Sequence, residues 1–464
     1  MLFKKSFSIS LVVLASATSI SYASSLNTDK IDKLQGALLP YTVIRDDLKN
    51  NAKPQGTFEI RNGGFGSDMT AHPTNKNQFY ALTDRGPNAG YSQGEYGNGK
   101  IFPSPEYTPR IGLFEIDNSG NITMVRSILL KRPDGTLMTG LPNSSALGGT
   151  GETPYNHLGQ PIVENMAQPF NAETNVIKLD NYGLDGEGLV ALKDGTFWVS
   201  DEYGPHIVHF DEQGIEIGRI NPFRHDTRTE LNLPAEFANR RANRGMEGLA
   251  VTPDQSTLIG TMQSTIYNPS SEVKNLNLVR LVSINLMTQE VSQYLYQQEK
   301  NQNSNSGIAS LTQNEFLVIE RDGKFLRDDA HAMKHIYRID ISQATNLESI
   351  KNSEQLRQDP DLGLLIDGVT LEQAVLNHGW SILEKYNINP VSKSLVVDLV
   401  KRNNYPHDKL EGMWIVSPNQ LAVLNDDDFA TWSSKGKLEQ KYLDKAQSQI
   451  DGSRLYIIDN VKLD

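Results

Sequence analysis

The feature that most constrains this chain is a short hairpin motif that recurs at wide, regular intervals. Asp185-Gly186-Glu187-Gly188-Leu189 runs into an apolar stretch, turns at Lys193-Asp194-Gly195, and returns as Trp198-Val199-Ser200-Asp201-Glu202. A second copy opens at Met246-Glu247-Gly248-Leu249 and a third at Leu410-Glu411-Gly412-Met413. Weaker copies begin at Ser67-Asp68-Met69, returning through Phe79–Asp84, and at Gly307-Ile308, returning through Phe316–Glu320. Each is an apolar run, a turn of Pro, Asp, Asn or Gly, and a second apolar run, which is the signature of a β-hairpin. Glu187 to Glu247 is 60 residues, and Glu247 to Gly307 is 60 again. A four-stranded propeller blade takes roughly 40–50 residues in common repeats, so this interval suits a blade with long loops.

The expected fold is therefore an all-β propeller. Six blades are favoured, one of them divergent; five or seven also fit the spacing. A strand from the N-terminal region, near Thr57–Ile60, is expected to close the last blade, so that no long sheet edge stays open. Two stretches interrupt the rhythm. Residues 133–175, rich in Gly, Pro, Asn and Ser, read as a long loop. Residues 343–388 read as a helical insertion between blades, with Thr370 and Gln373 as a capping pair and Gly379 as a weak point.

The chain opens with Lys4 and Lys5, an apolar stretch from Phe7 to Ile20, and the small-x-small site Ser21-Tyr22-Ala23. That is the pattern of a secretory signal peptide, so residues 1–23 are expected to be removed. Residues 24–464 are then one exported domain, periplasmic or secreted, with no membrane attachment and a monomeric state expected. The whole chain carries a formal net charge of −12. Cleavage would remove two lysines and no acid, making it more acidic still. Such a chain is ill suited to nucleic acid, whose phosphates need clustered Lys and Arg, and well suited to cations. With no cysteine, core packing alone must hold the fold.

Ring closure brings the starts of the innermost strands to one mouth of the central channel. An uninterrupted hairpin register places Glu187 opposite Asp201, Glu411 opposite Asp426 and Gly307 opposite Glu320. Asp68, Asp84, Glu187, Glu202, Glu247, Glu320, Glu411 and Asp426 are then the expected metal ligands. Carboxylates gathered this closely must take up protons, recruit Arg or Lys, or bind a cation. Oxygen-only donors point to Ca²⁺, with Mg²⁺ as the alternative, rather than to zinc.

Several of these stretches carry a resemblance. Leu82-Thr83-Asp84-Arg85-Gly86-Pro87-Asn88, Gly186–Leu189 with Trp198–Ile207, Asn243–Ala250 and Lys409–Met413 together resemble the phytase-like family, described as having an esterase-like activity of phytase. The resemblance spans about Gly63 to Asp428 and implies hydrolysis of phosphate esters or other esters. On that reading Glu187 and Asp201 serve the catalytic centre, His206 is a general acid or base, and Arg85 and Arg244, with Arg321, grip phosphate through their forked guanidinium groups. A phosphorylated or ester small molecule is the expected substrate. A metal-dependent lactonase or arylesterase is the alternative, and a non-catalytic propeller with structural calcium a third. No Gly-x-Ser-x-Gly elbow, His-Glu-x-x-His helix or phosphate-cradling Gly-Lys loop occurs, which argues against those three chemistries.

Overall fold

A computed structural model describes residues 30–463 apart from 53–55, 93 and 435. The signal-peptide segment lies outside the described residues. Within them, five sheets of four antiparallel strands follow one another along the chain. Blade one is Asp68–Ala71, Gln78–Leu82, Arg110–Ile116 and Ile122–Leu129. Blade two is Gly186–Ala191, Phe197–Asp201, Ile207–Phe210 and Glu216–Asn221, with Leu231–Asn232 added in parallel at its edge. Blade three is Met246–Val251, Thr257–Met262, Leu278–Asn285 and Val291–Gln297. Blade four is Ser304–Ser310, Glu315–Arg321, Lys334–Asp340 and Ser392–Asp398. Blade five is Gly412–Ser417, Gln420–Leu424 and Arg454–Asp459, completed by Ala37–Leu38.

The chain is thus a β-propeller with five blades rather than the favoured six. The two long intervals, Asp68 to Glu187 and Gly307 to Glu411, each hold one blade plus an insertion. Closure does come from the N-terminal region, but through Ala37–Leu38 paired with Arg454 and Leu455. Thr57–Arg61 forms a separate hairpin with Val43–Lys49 instead.

The alternating apolar residues of each blade pack against the next blade, as the period-two pleat requires. Leu82 and Ile111 of blade one meet Leu189 and Val199 of blade two. Trp198, Leu249, Ile259 and Val318 join blades two, three and four. Leu317 and Ile336 meet Met413 and Val423, and Phe79 stacks near Trp414 to join blade one to blade five. Below the acidic mouth the channel is apolar and holds a cavity of about 190 Å³, lined by residues of all five innermost strands, among them Met69, Leu189, Leu249, Ile308 and Met413.

The motif glycines explain how five strands fit around one axis. A Cβ on Gly188 would lie 2.5 Å from the Leu249 amide nitrogen of the next blade, and one on Gly307 would collide with the Glu411 carbonyl oxygen. Backbone cannot yield there as a side chain can. Gly307→Ala should cost about 1–3 kcal/mol, the usual penalty of overpacking, read as a lower urea midpoint at unchanged slope.

The insertion at 343–388 lies between the third and fourth strands of blade four, not between blades. It is mixed rather than purely helical. A three-stranded sheet of Leu356–Asp359, Gly363–Ile366 and Val369–Thr370 precedes the helices Leu371–His378 and Ser381–Lys385. The Thr370 hydroxyl accepts from the Gln373 amide, and Gly379, at φ +72°, separates the two helices. The other insertion, 133–175, crosses from blade one to blade two. Its Thr153–Tyr155 pairs in parallel with Gly99–Ile101, which carries Glu152 to the mouth.

Candidate functional site

Three innermost strands carry the same irregularity. Gly186 pairs with Asp201 but Gly188 with Ser200; Met246 pairs with Met262 but Gly248 with Thr261; Asn305 pairs with Glu320 but Gly307 with Ile319. One residue is left over each time: Glu187, Glu247 and Ser306. This is a β-bulge, which re-aims the side chain of the extra residue. Gly412 pairs with Leu424 and Asp68 with Leu82, so Glu411 and Ser67 hold the equivalent places in blades five and one. Around the ring this tier reads Ser67, Glu187, Glu247, Ser306, Glu411. The returning strands supply a second tier two residues beyond the paired partner: Asp84, Glu202, Gln263, Arg321 and Asp426.

The bulge also corrects the expected ligand set. A one-residue slip turns a side chain to the opposite face. Asp201 and Glu320, expected at the mouth, occupy the intervening positions and point elsewhere. Asp201 accepts from the amides of Asp185 (2.8 Å) and Gly204 (3.3 Å). Glu320 accepts from the Tyr296 hydroxyl (2.8 Å), Lys393 Nζ (2.7 Å), Asn303 Nδ2 (2.7 Å) and the Glu299 amide (2.7 Å). Asp68 stands at the glycine position of the motif. Its carboxylate accepts from the amides of Met69 and Leu189, both at 2.7 Å, and so stitches blade one to blade two. His206 is fully buried with Nε2 3.0 Å from the Leu147 carbonyl oxygen, beside Phe223. Burial, then Arg219, hold it well below the usual imidazole range.

The structure brings together Asp84, Glu187, Glu202, Glu247, Glu411 and Asp426, and adds Asp185, which the strand pattern did not single out because it precedes the strand. Asp185, Glu187 and Glu202 each present one carboxylate oxygen within 4.8 Å of the others. Arg85 braces two of them, with Nη2 2.7 Å from Asp185 Oδ2 and 3.4 Å from Glu202 Oε2, and Nη1 3.7 Å from Glu152 Oε2. Gln263 Nε2 donates to Glu202 Oε1 at 2.9 Å. Arg321 reaches across from blade four to pair with Glu411, and lies 3.8 Å from Glu247. Lys409 Nζ lies 2.6 Å from both Asp426 and Asp428. Arg244 is part-buried with an unpartnered Nη1, and Glu247 and Glu202 are among the charges around it. Among the described residues no hydrogen bond or ion pair holds Glu187.

Burial, then repulsion from Glu247, raises the Glu187 carboxyl well above the carboxylate range; burial, then Glu202, does the same to Glu247. Burial pushes Asp201, Glu202, Glu411 and Asp427 up to about 7 each. Between about pH 4 and pH 7 the folded chain then binds more protons at these four sites than the unfolded chain, so their contribution to stability falls as pH rises through that window. In EDTA the melting temperature should drop from pH 5 to pH 8, and calcium should restore it at pH 8. A melting temperature that climbs across that range in EDTA would contradict the charge distribution described.

The donor set fits a hard divalent cation. Its ligands are oxygens only, three of them close enough to share one ion, and the buried Glu247 Oε2 and Glu411 Oε2 lack hydrogen-bond partners. Asp185, Glu187 and Glu202 would hold the ion, with carboxylate-rich coordination of the kind Ca²⁺ and Mg²⁺ take.

A protein of Arthroderma benhamiae named an uncharacterized secreted protein is 27% identical over 293 residues, covering 53% of this chain and 56% of its own. The chain thus spans little more than half the length of that relative. Among solved structures, the PQQ-bound aldose sugar dehydrogenase of Streptomyces coelicolor aligns over 90% of this chain and 98% of its own at 10% identity and a TM-score of 0.27. A β-propeller domain from Myceliophteria thermophila aligns over 84% and 98% at 13% identity and a TM-score of 0.28. Scores that low add nothing to the five sheets themselves. The profile of the family described as "Phytase-like: Esterase-like activity of phytase" matches residues 60–429, from the hairpin before blade one to the acidic turn of blade five, and the chain belongs to that family.

Proposed function

We propose that the channel mouth is the active site of an exported hydrolase of phosphate esters that depends on a divalent cation, with calcium preferred. The observation that carries this reading is the oxygen triad of Asp185, Glu187 and Glu202 together with Arg244, whose Nη1 has no hydrogen-bond partner and whose charge interacts with Glu202 and Glu247. Such a site can hold a cation and an anion at once. When bound, the cation would supply Lewis acidity and an activated water. Arg85 keeps Asp185 and Glu202 in place. Glu187, which has no hydrogen bond or ion pair among the described residues, would be free to join them in holding the ion. Arg244 offers its fork to a phosphoryl oxygen, the geometry for which Arg is suited.

The cationic groups favour phosphate over the lactonase and arylesterase alternative. A lactone calls for an apolar cup beside the metal, whereas Arg85, Arg244, Arg321 and Lys409 surround this one. Export is supported by the N-terminal pattern and by the name of the Arthroderma relative. The mature chain is read as one domain, acting as a monomer on a small phosphorylated molecule, in the periplasm or the medium.

A panel of chromogenic phosphate monoesters, phosphodiesters, carboxylic esters and lactones, each with calcium and with EDTA, tests the proposal. Calcium-dependent release from a phosphate ester is the expected result. Turnover confined to carboxylic esters or lactones would replace it with the alternative. Inertness toward the whole panel would leave a binding propeller.

A further inference from the structure

The second tier of the mouth is acidic in blades one, two and five (Asp84, Glu202, Asp426) and an amide in blade three (Gln263), but in blade four it is Arg321. That guanidinium is buried, 6% exposed. It stands between the equivalent acids of the two flanking blades, paired with Glu411 and 3.8 Å from Glu247. Both acids are 2% exposed, and each keeps one oxygen, Glu247 Oε2 and Glu411 Oε2, without a hydrogen-bond partner. The hairpin register fixes this placement. The bulge at Ser306 shifts the returning strand by one, so Arg321 rather than Glu320 faces the axis.

We infer that Arg321 is a tethered counter-ion occupying what would otherwise be a second divalent-cation site between Glu247 and Glu411. This deepens the reading of the mouth as a cation site and rests on it. Two carboxylates with unused oxygens, drawn together in a water-poor place, are what a hard cation coordinates. A fixed +1 charge delivered by the fold fills that role without an ion. The consequence is a mouth that takes one divalent cation, held off the ring axis toward blade two by Asp185, Glu187 and Glu202. Arg321 completes the positive rim on the opposite side. The site is then suited to an anionic substrate spanning one metal and one guanidinium, rather than to the paired metals used by many phosphate-transfer centres.

Calcium titration by calorimetry on the full mature chain tests this, with melting temperature followed in parallel. The wild type should bind one calcium per chain. Arg321→Met should bind two, the second lost again when Glu247→Gln is added. Arg321→Lys keeps the charge and should bind one. Two calcium ions in the wild type, or a single ion in Arg321→Met, would overturn the inference while leaving the cation site standing. No calcium bound to the wild type would instead remove the cation site itself. Should Arg321→Met fold only in millimolar calcium, the inference is supported. Should it fail to fold at any calcium level, Arg321→Gln replaces it, because its amide can still donate to Glu411; two ions are again expected and one would overturn.

Discussion

Glu187→Gln should abolish calcium binding and lower kcat/KM on phosphate esters by at least about 100-fold, the scale on which metal sites respond to losing supporting groups. The same change should make the cation-free protein more stable, not less. Glu187 makes no hydrogen bond or ion pair among the described residues, so the amide breaks nothing. It removes instead a charge that burial and Glu247 both disfavour. Each pK unit of that disfavour corresponds to about 1.4 kcal/mol between the two protonation states. The melting temperature in EDTA at pH 8 should therefore rise, while the upward shift on adding calcium disappears. A loss of activity together with a fall in EDTA stability would show a structural role. An undiminished calcium shift would place the ion elsewhere.

Lys441→Met should destabilise the fold by about 3–5 kcal/mol, the cost of removing one partner from a buried ionic group. The Lys441 ammonium is 1% exposed and lies 2.7 Å from Asp428, 2.9 Å from Asp408 and 3.6 Å from Asp451. Asp451 also takes His407 Nδ1 at 2.7 Å, and His407 Nε2 meets the Tyr456 hydroxyl at 2.7 Å. Without the ammonium, the buried Asp408 and Asp451 and the part-buried Asp428 lose their shared cation. Burial works against ionised Asp428, but Lys409 and Lys441 outweigh it and hold its carboxyl well below the usual range. Its contribution is therefore present above the unfolded-state pKa near 4 and lost as pH falls toward the folded value. The defect of Lys441→Met should accordingly be largest at neutral pH and shrink in acid. A urea midpoint unchanged at pH 7 would show that water or other groups already solvate the cluster.

The two variants separate the mouth from its support. Lys441 sits behind the turn at Asp426–Asp428, whereas Glu187 faces the opening. Glu187→Gln should lose function with a firmer fold, whereas Lys441→Met should weaken the fold.

The local pattern was legible along the chain. Alternating apolar residues, turn residues and the Glu-Gly pairs specify hairpins, and their recurrence specifies a ring, because strands of that length cannot bury both faces alone. The convergence of Glu187, Glu247 and Glu411 at one mouth follows from equivalent positions on equivalent strands. Tertiary structure decided the rest. The bulges at Glu187, Glu247 and Ser306 exist because glycine at Gly188, Gly248 and Gly307 lets neighbouring innermost strands close up, and this depends on residues 60 or more positions away. That slip turned Asp201 and Glu320 out of the mouth and admitted Arg321. Blade number depended on which long interval held an insertion, something spacing alone does not distinguish. Arg85 met Asp185 and Glu202 only because loops of different blades converge there, and His206 went to the interior because its neighbours in space, Leu147 and Phe223, are not its neighbours in the chain. Periodicity is a local property and can be read along the chain, whereas charge compensation is a property of the closed ring.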